Sequence, residues 1–196
     1  MPRIPRLIQD NSIYHIITRG NDKKKLFRHP KDYNHFLKLV QSTLKKHSIL
    51  IYHYCLMNNH IHFLVKANKA QDMPKFFQSL FQRYASYFRK RYEHEGYLFQ
   101  NRYKSYHINK DSYLLECARY IERNPVRANI VMDPGSYKWS SYACYSKSNK
   151  DAIIKELNPL YLSMAASNAE RQERYKSYLL EERPYEHIVD KGLRIQ

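Results

Sequence analysis

The sequence predicts an α+β fold of ferredoxin-like type: a β-α-β-β-α-β antiparallel sheet, then a third helix, then a mostly helical C-terminal extension. Three observations carry that expectation. Stretches rich in β-branched and aromatic residues, bounded by polar turns, recur through the first half of the chain. Longer stretches between and after them place apolar residues at helical spacing. The two kinds follow one another as strand, helix, strand, strand, helix, strand, helix. In such a unit both helices cover one face of the sheet, and the other face stays open to bind something.

Met1–Asp10, with Pro2, Arg3, Pro5 and Arg6, reads as an extended basic lead-in. Ser12–Thr18 (SIYHIIT) is the first strand by its β-branched content. A turn at Arg19–Asp22 leads into the lysine run Lys23, Lys24 and Lys25. Pro30 opens the first helix, where a residue without an N–H is well placed. Tyr33, Phe36, Leu37, Val40 and Leu44 form its apolar stripe, which runs to about His47. A hairpin follows, Ile49–Cys55 and His60–Ala67, turning at Asn58–Asn59 and supplying the two central strands. The second helix starts near Asp72 and buries Phe77, Leu80, Phe81, Tyr84 and Phe88. Tyr103–Ile108 is the fourth strand. The third helix is capped by Asp111 or Ser112 and has Leu114, Leu115, Ala118 and Ile121 as its apolar stripe. Pro125 disfavours helical geometry at Asn124, so the helix is expected to end or kink there. Beyond it, Pro134–Ser146 reads as an irregular segment pinned by Trp139, with helices at Asp151–Leu157, Pro159–Ala166 and Ala169–Glu182.

Composition narrows the partners. Hydrophobic residues make up 43% of the 196, enough for one domain with a core. Lysine and arginine number 34 against 18 acids, a net charge of +16, which points to a polyanion, most often nucleic acid. Basic residues interleave with aromatics in Gln82–Tyr92 and Phe99–His107, a mixture suited to single strands, where rings stack on bases and cations meet phosphates. No apolar run is long enough to span a membrane, so no membrane partner is expected. Cys55, Cys117 and Cys144 are odd in number and lack CxxC spacing, as expected of free thiols in a reducing cytoplasm.

The chemistry gathers at Met57–Leu64, MNNHIHFL. On a strand His60 and His62 project to one face, while Ile61, Phe63 and Val65 line the other. Two imidazoles side by side on a rigid strand make a metal-ligand pair. On the third helix Tyr120 and Asn124 are four residues apart and share a face. A phenol can serve as a covalent nucleophile, and an amide oxygen as a third ligand beside two imidazoles. That ligand set suits Mg²⁺ or Mn²⁺, though imidazole also accepts Zn²⁺. By residue type alone Tyr103, Tyr106 and Tyr113 compete with Tyr120 for the nucleophile's role.

Four segments in order, YHIITRGN, YCLMNNHIHFLV, YLFQNRYKS and ARYIERNPVRANIV, resemble those of the REP-associated tyrosine transposases, single-tyrosine members of the HUH enzymes (histidine, bulky apolar residue, histidine). The resemblance covers roughly Ser12 to Tyr145. It implies that His60, His62 and Asn124 bind the metal, Mg²⁺ or Mn²⁺, and that Tyr120 is the nucleophile. It implies a metal-dependent single-stranded DNA endonuclease and strand-transferase acting on hairpin-forming palindromes, bacterial and nucleoid-associated, as monomer or homodimer. Arg19, Lys23, Arg102, Lys104 and Arg127 adjoin these segments and are candidates for DNA contacts. Residues 1–133 would form the nuclease domain, and 134–196 an extension packed on or flanking it and contributing to DNA binding.

A different class of function stays open at this point: a domesticated, non-cleaving binder of palindromic DNA or structured RNA. The intact His60, His62, Tyr120 and Asn124 set argues against it. The expectation also carries a geometric condition. The third helix must pack on the histidine face, so that both rings and the Asn124 amide converge beside Tyr120.

Overall fold

The strands form where β-branched and aromatic residues cluster: β1 (Ser12–Arg19), β2 (Ile49–Leu56), β3 (His60–Ala67) and β4 (Lys104–Ile108). In the computed structural model, which describes residues 7–181, they make one antiparallel sheet in the order β2-β3-β1-β4. The basic lead-in at 1–6 lies outside the described residues. Only half of the hairpin is central, which corrects the expectation for both its strands. β3 is flanked by β2 and β1, whereas β2 is an edge. The reason is that β1 pairs with β3 along its whole length, Ser12 opposite Ala67 through Arg19 opposite His60.

Helices α1 (Pro30–Leu44) and α2 (Asp72–Tyr92) share one face of the sheet. The start of α1 is fixed by a reciprocal cap. His29 Nδ1 accepts from the Lys31 N–H, and Asp32 Oδ2 accepts from the His29 N–H at 2.9 Å. Ile16, Ile61, Phe63 and Val65 point at these helices and pack with Phe36, Val40, Phe77, Leu80 and Tyr84. Every one of those residues is essentially inaccessible to water. Burying a side chain of this size stabilises the fold by about 1.5–3 kcal/mol, so the odd-numbered face of β3 is committed to the core.

Helix α3 (Asp111–Arg127) packs on the opposite face, with Leu114, Cys117, Ala118 and Ile121 against Leu64, Cys55 and Ile108. The face expected to stay open is thus roofed in part by α3. The helix does not end at Asn124 but runs two residues past Pro125. Proline costs a helix one N–H donor and crowds the preceding turn. Here it falls in the last turn, which closes through Ala128 N–H to Asn124 O at 2.9 Å.

Residues after the third helix run along the exposed edge of β2. The Leu56 N–H donates to Trp139 O and the Ser141 N–H to Tyr54 O, at 2.9 and 3.0 Å. An edge strand with unpaired backbone groups is a liability, and this segment covers it. Trp139 stacks on Tyr33 with ring centroids 4.4 Å apart. The chain then forms α4 (Tyr142–Lys147), α5 (Pro159–Leu162) and α6 (Asn168–Leu180). The helix expected at Asp151–Leu157 is absent: Asp151 Oδ1 accepts from the N–H groups of Ile153 and Ile154, a local turn that competes with a helix. Ile153 and Ile154 enter the main core instead.

A buried polar knot ties this segment to α3. Glu122 accepts hydrogen bonds from His53 Nδ1 at 2.8 Å, the Ser141 hydroxyl at 2.6 Å and the Tyr175 hydroxyl at 2.8 Å. Asn158 Nδ2 donates to the far nitrogen of His53 at 3.1 Å, which leaves His53 one proton, on Nδ1. Arg119 and Arg123 donate to carbonyls at the C-terminal end of α6, Tyr178 O and Leu179 O. Removing the Glu122 carboxylate strands the buried donors of His53 and Tyr175, while the Ser141 hydroxyl keeps Tyr54 O at 3.3 Å. Glu122→Ala is therefore expected to cost about 3 kcal/mol, roughly 6–12 °C in Tm. Thermal unfolding followed by circular dichroism checks it, and a Tm unchanged within about a degree would contradict the assignment.

Candidate metal and nucleophile site

The site forms where the N-terminal end of β3 meets the last turns of α3. Backbone bonds hold the turn before β3: Asn58 O accepts from the Leu26 and Phe27 N–H groups, and Asn59 O from Gly20. Gly20 is needed there, because a Cβ would lie 2.1 Å from Lys24 O. His60 and His62 leave β3 on the α3 side, their rings perpendicular with centroids 4.9 Å apart. Asn124 reaches them from the helix. Its Nδ2 donates back to Tyr120 O at 3.1 Å, which turns Oδ1 outward, 3.3 Å from His60 Nε2.

Proton positions follow from the partners. Asn59 Oδ1 lies 2.7 Å from His60 Nδ1, so that nitrogen donates. Burial lowers the His60 pKa, with the Arg19 charge acting the same way and the Asn124 contact opposing it. A neutral ring with its proton on Nδ1 leaves a lone pair on Nε2 facing the Asn124 oxygen. Two acceptors in contact repel unless a cation lies between or beside them. His62 is wholly buried and its pKa lies well below the usual value, first by burial and then by His60, His15 and Arg127. Its Nε2 has no protein partner. Neutral imidazole is the form that binds metal. Two free imidazole lone pairs and one amide oxygen therefore fit a divalent ion. Among the described residues no three His, Cys, Asp or Glu side chains gather as a metal cluster; the oxygen beside His60 Nε2 is that of the Asn124 amide, at 3.3 Å.

Tyr120 stands against the same rings. Its ring meets those of His62 and His15 edge-on, at 5.5 and 5.9 Å, and the Arg127 guanidinium lies 5.0 Å from its centroid. The competing tyrosines separate. Tyr103 is buried against Phe77 on the core side, and Tyr113 lies in the exposed first turn of α3. Tyr106 borders the site only through His15, with ring centroids 6.2 Å apart.

His15 is the residue sequence reasoning missed. It sits on β1, fully buried, with Nε2 3.1 Å from His62 Nδ1 and the two rings stacked. Burial pulls its pKa down to about 3. The available clue was a histidine inside the apolar strand SIYHIIT, since a buried polar group needs a partner. The partner became visible only with the β1–β3 register.

The basic candidates divide. Arg19, opposite His60 in the sheet, donates to Gln100 Oε1. Arg102 and Lys104 join Arg19 around one small recess at the β1–β4 side. Arg127 lies at Tyr120. Lys23 stands apart from these, exposed in the 3₁₀ turn Asn21–Lys23.

Paired histidines on the sheet thus lie under a helix that bears a tyrosine and an asparagine. A family model described as "Transposase IS200 like" matches residues 8–124, which include all four residues. The chain belongs to this IS200-like transposase family, and so to the DNA-processing transposases. Its fold is similar to that of a REP-associated tyrosine transposase solved bound to a REP hairpin. The two share 12% identity at a TM-score of 0.65, over 80% of this chain and 92% of that one. A putative transposase from Deinococcus radiodurans R1 aligns at 15% identity and a TM-score of 0.43, over 63% and 97% of the two chains. No curated protein sequence matches the chain. Among the described residues no helix is long and apolar enough to cross a membrane.

The ligand set makes a measurable claim. Mn²⁺ at about 100 times its dissociation constant should stabilise the fold by about 2.7 kcal/mol. A scanning calorimetry series should show this for the wild type and not for His60→Ala. Equal stabilisation of both proteins would place the ion elsewhere.

Proposed function

We propose that the chain is a metal-dependent single-stranded DNA endonuclease and strand-transferase, acting on hairpin-forming palindromes through a 5′-phosphotyrosine on Tyr120. The observation that carries this reading is the grouping of the His60 and His62 rings, the Asn124 Oδ1 3.3 Å from His60 Nε2, and the Tyr120 ring edge-on to His62. The net charge of +16 supports a DNA substrate. A REP hairpin is what the solved relative with the same fold is bound to.

His60, His62 and Asn124 would hold Mg²⁺ or Mn²⁺, which when bound polarises a phosphate oxygen. Tyr120 does the covalent work. Its Oη forms a bond to phosphorus as the bond from phosphorus to the 3′-oxygen breaks. The phenol gives up its proton and the 3′-oxygen gains one, so cleavage is neutral in protons and needs no water as nucleophile. Rejoining is the same step reversed: a 3′-hydroxyl attacks the phosphotyrosine and the phenol is regenerated. Arg127 and Arg19, at Tyr120 and opposite His60, supply positive charge where the phosphate must sit.

His15 acts as a positioning residue for His62. For His62 to offer its Nε2 lone pair, its proton must sit on Nδ1 and point at His15 Nε2, 3.1 Å away. His15 then holds its own proton on Nδ1, away from the site. Partners of this kind orient a ligand ring and fix its tautomer.

Incubation with labelled single-stranded DNA carrying a palindromic hairpin, with Mg²⁺ or Mn²⁺, should give a covalent adduct that maps to Tyr120. Tyr120→Phe should form none. His60→Ala should abolish cleavage yet keep most of the binding, since phosphate contacts dominate affinity. An adduct from Tyr120→Phe at the wild-type rate would sink the reading. For His15, titration with Mn²⁺ is the discriminating measurement. His15→Leu is expected to weaken the ion about 10–100-fold, while His15→Gln, which keeps an acceptor, loses less. Equal losses in both would make His15 a packing residue.

A further inference from the structure

Between α2 and the segment leading into β4 lies a groove of about 810 Å³ that the mechanism does not use. Its walls are rings. Phe81 and Phe99 meet with centroids 4.9 Å apart, and Tyr97 stands on the rim, 85% exposed. Gln78 and Gln82, both exposed on α2, bring amides that can donate and accept. A second, smaller recess shares Gln100, Asn101 and Arg102 with this groove and continues to Arg19 and Lys104. Arg19 faces His60 across the β1–β3 pair, so a line of recesses leads from the metal-ligand end of β3 to the aromatic groove. Neither lining contains an aspartate or glutamate.

Each feature selects among occupants. An apolar helix or lipid chain would leave the glutamine and asparagine amides desolvated and unpaired. Duplex DNA offers no free ring faces. An unpaired nucleotide offers a ring to stack, edges that pair with amides, and a phosphate for Arg102 and Lys104. We propose that this groove holds unpaired bases of the DNA strand running out of the Tyr120 site, stacked on Tyr97 and Phe99. The proposal rests on the single-strand reading above, and adds where that strand lies.

The test uses the full chain and a fluorescein-labelled, unstructured ten-nucleotide DNA, with a blunt-ended hairpin as the control. Tyr97→Ala is expected to weaken the single strand roughly 5- to 100-fold, the usual loss for one stacked base. Gln82→Glu, which places a carboxylate in an acid-free groove, should weaken it as well. Hairpin affinity should change less than about twofold in both variants. Oligonucleotides carrying 5-iodouracil should crosslink to Tyr97 or Phe99 on irradiation. Unchanged single-strand affinity in both variants, with crosslinks elsewhere, overturns the proposal. So does a shift in oligomeric state with unchanged DNA affinity, which would make the groove a protein-docking surface. Failure of the two readings is distinguishable. Crosslinks at Tyr97 without any covalent adduct would overturn the cleavage reading and keep the groove. An adduct with unaltered binding by Tyr97→Ala would do the reverse.

Discussion

The alternation of side chains along β3 is the constraint on which the rest depends. Ile61, Phe63 and Val65 must face α1 and α2, because the main core closes on them. Strand geometry then sends His60, His62 and Leu64 to the other side. A one-residue slip would bury imidazoles in the apolar core and expose Phe63, so the core fixes where the histidines point. Full-length pairing with β1 makes the strand central and brings His15 up to His62.

The second requirement is that α3 be held over that face at a set depth. Its apolar stripe does part of this through Cys117, Ala118 and Ile121 on Leu64 and Cys55. The chain after residue 134 does the rest. It lies along β2, delivers Ser141 and Tyr175 to Glu122, and has α6 clasped by Arg119 and Arg123. Residues flanking Tyr120 on its helix therefore anchor it from behind, while Tyr120 and Asn124 face the histidines. A buried carboxylate with three donors tolerates little displacement, so the grip is stiff next to Tyr120.

Local pattern made most of this legible. The strands, α1, α2 and the turn at Asn58–Asn59 follow from periodicity and turn chemistry, and the histidine face follows from alternation. What sequence concealed depends on partners far along the chain. Glu122, a charged residue within α3, is buried because His53 and Tyr175, 69 and 53 residues away, close over it. His15 reads as one of ten histidines until the register puts it against His62. β2 is expected at the centre from the hairpin's place in the topology, yet it lies at the edge of the sheet, where residues 139–141 bond to it in place of a further strand. Pro125 reads as a helix stop, and the two residues it overshoots include Arg127, which lies over Tyr120.

The proposed metal site requires that three donors from two elements share one ion. Crystals soaked in Mn²⁺ and measured at the manganese edge would show it directly. The expected result is one anomalous peak bound by His60 Nε2, His62 Nε2 and Asn124 Oδ1, with Tyr120 beside it and His15 still paired to His62 Nδ1. A peak bound by other residues, or none at this end of β3 in manganese-saturated crystals, would contradict it.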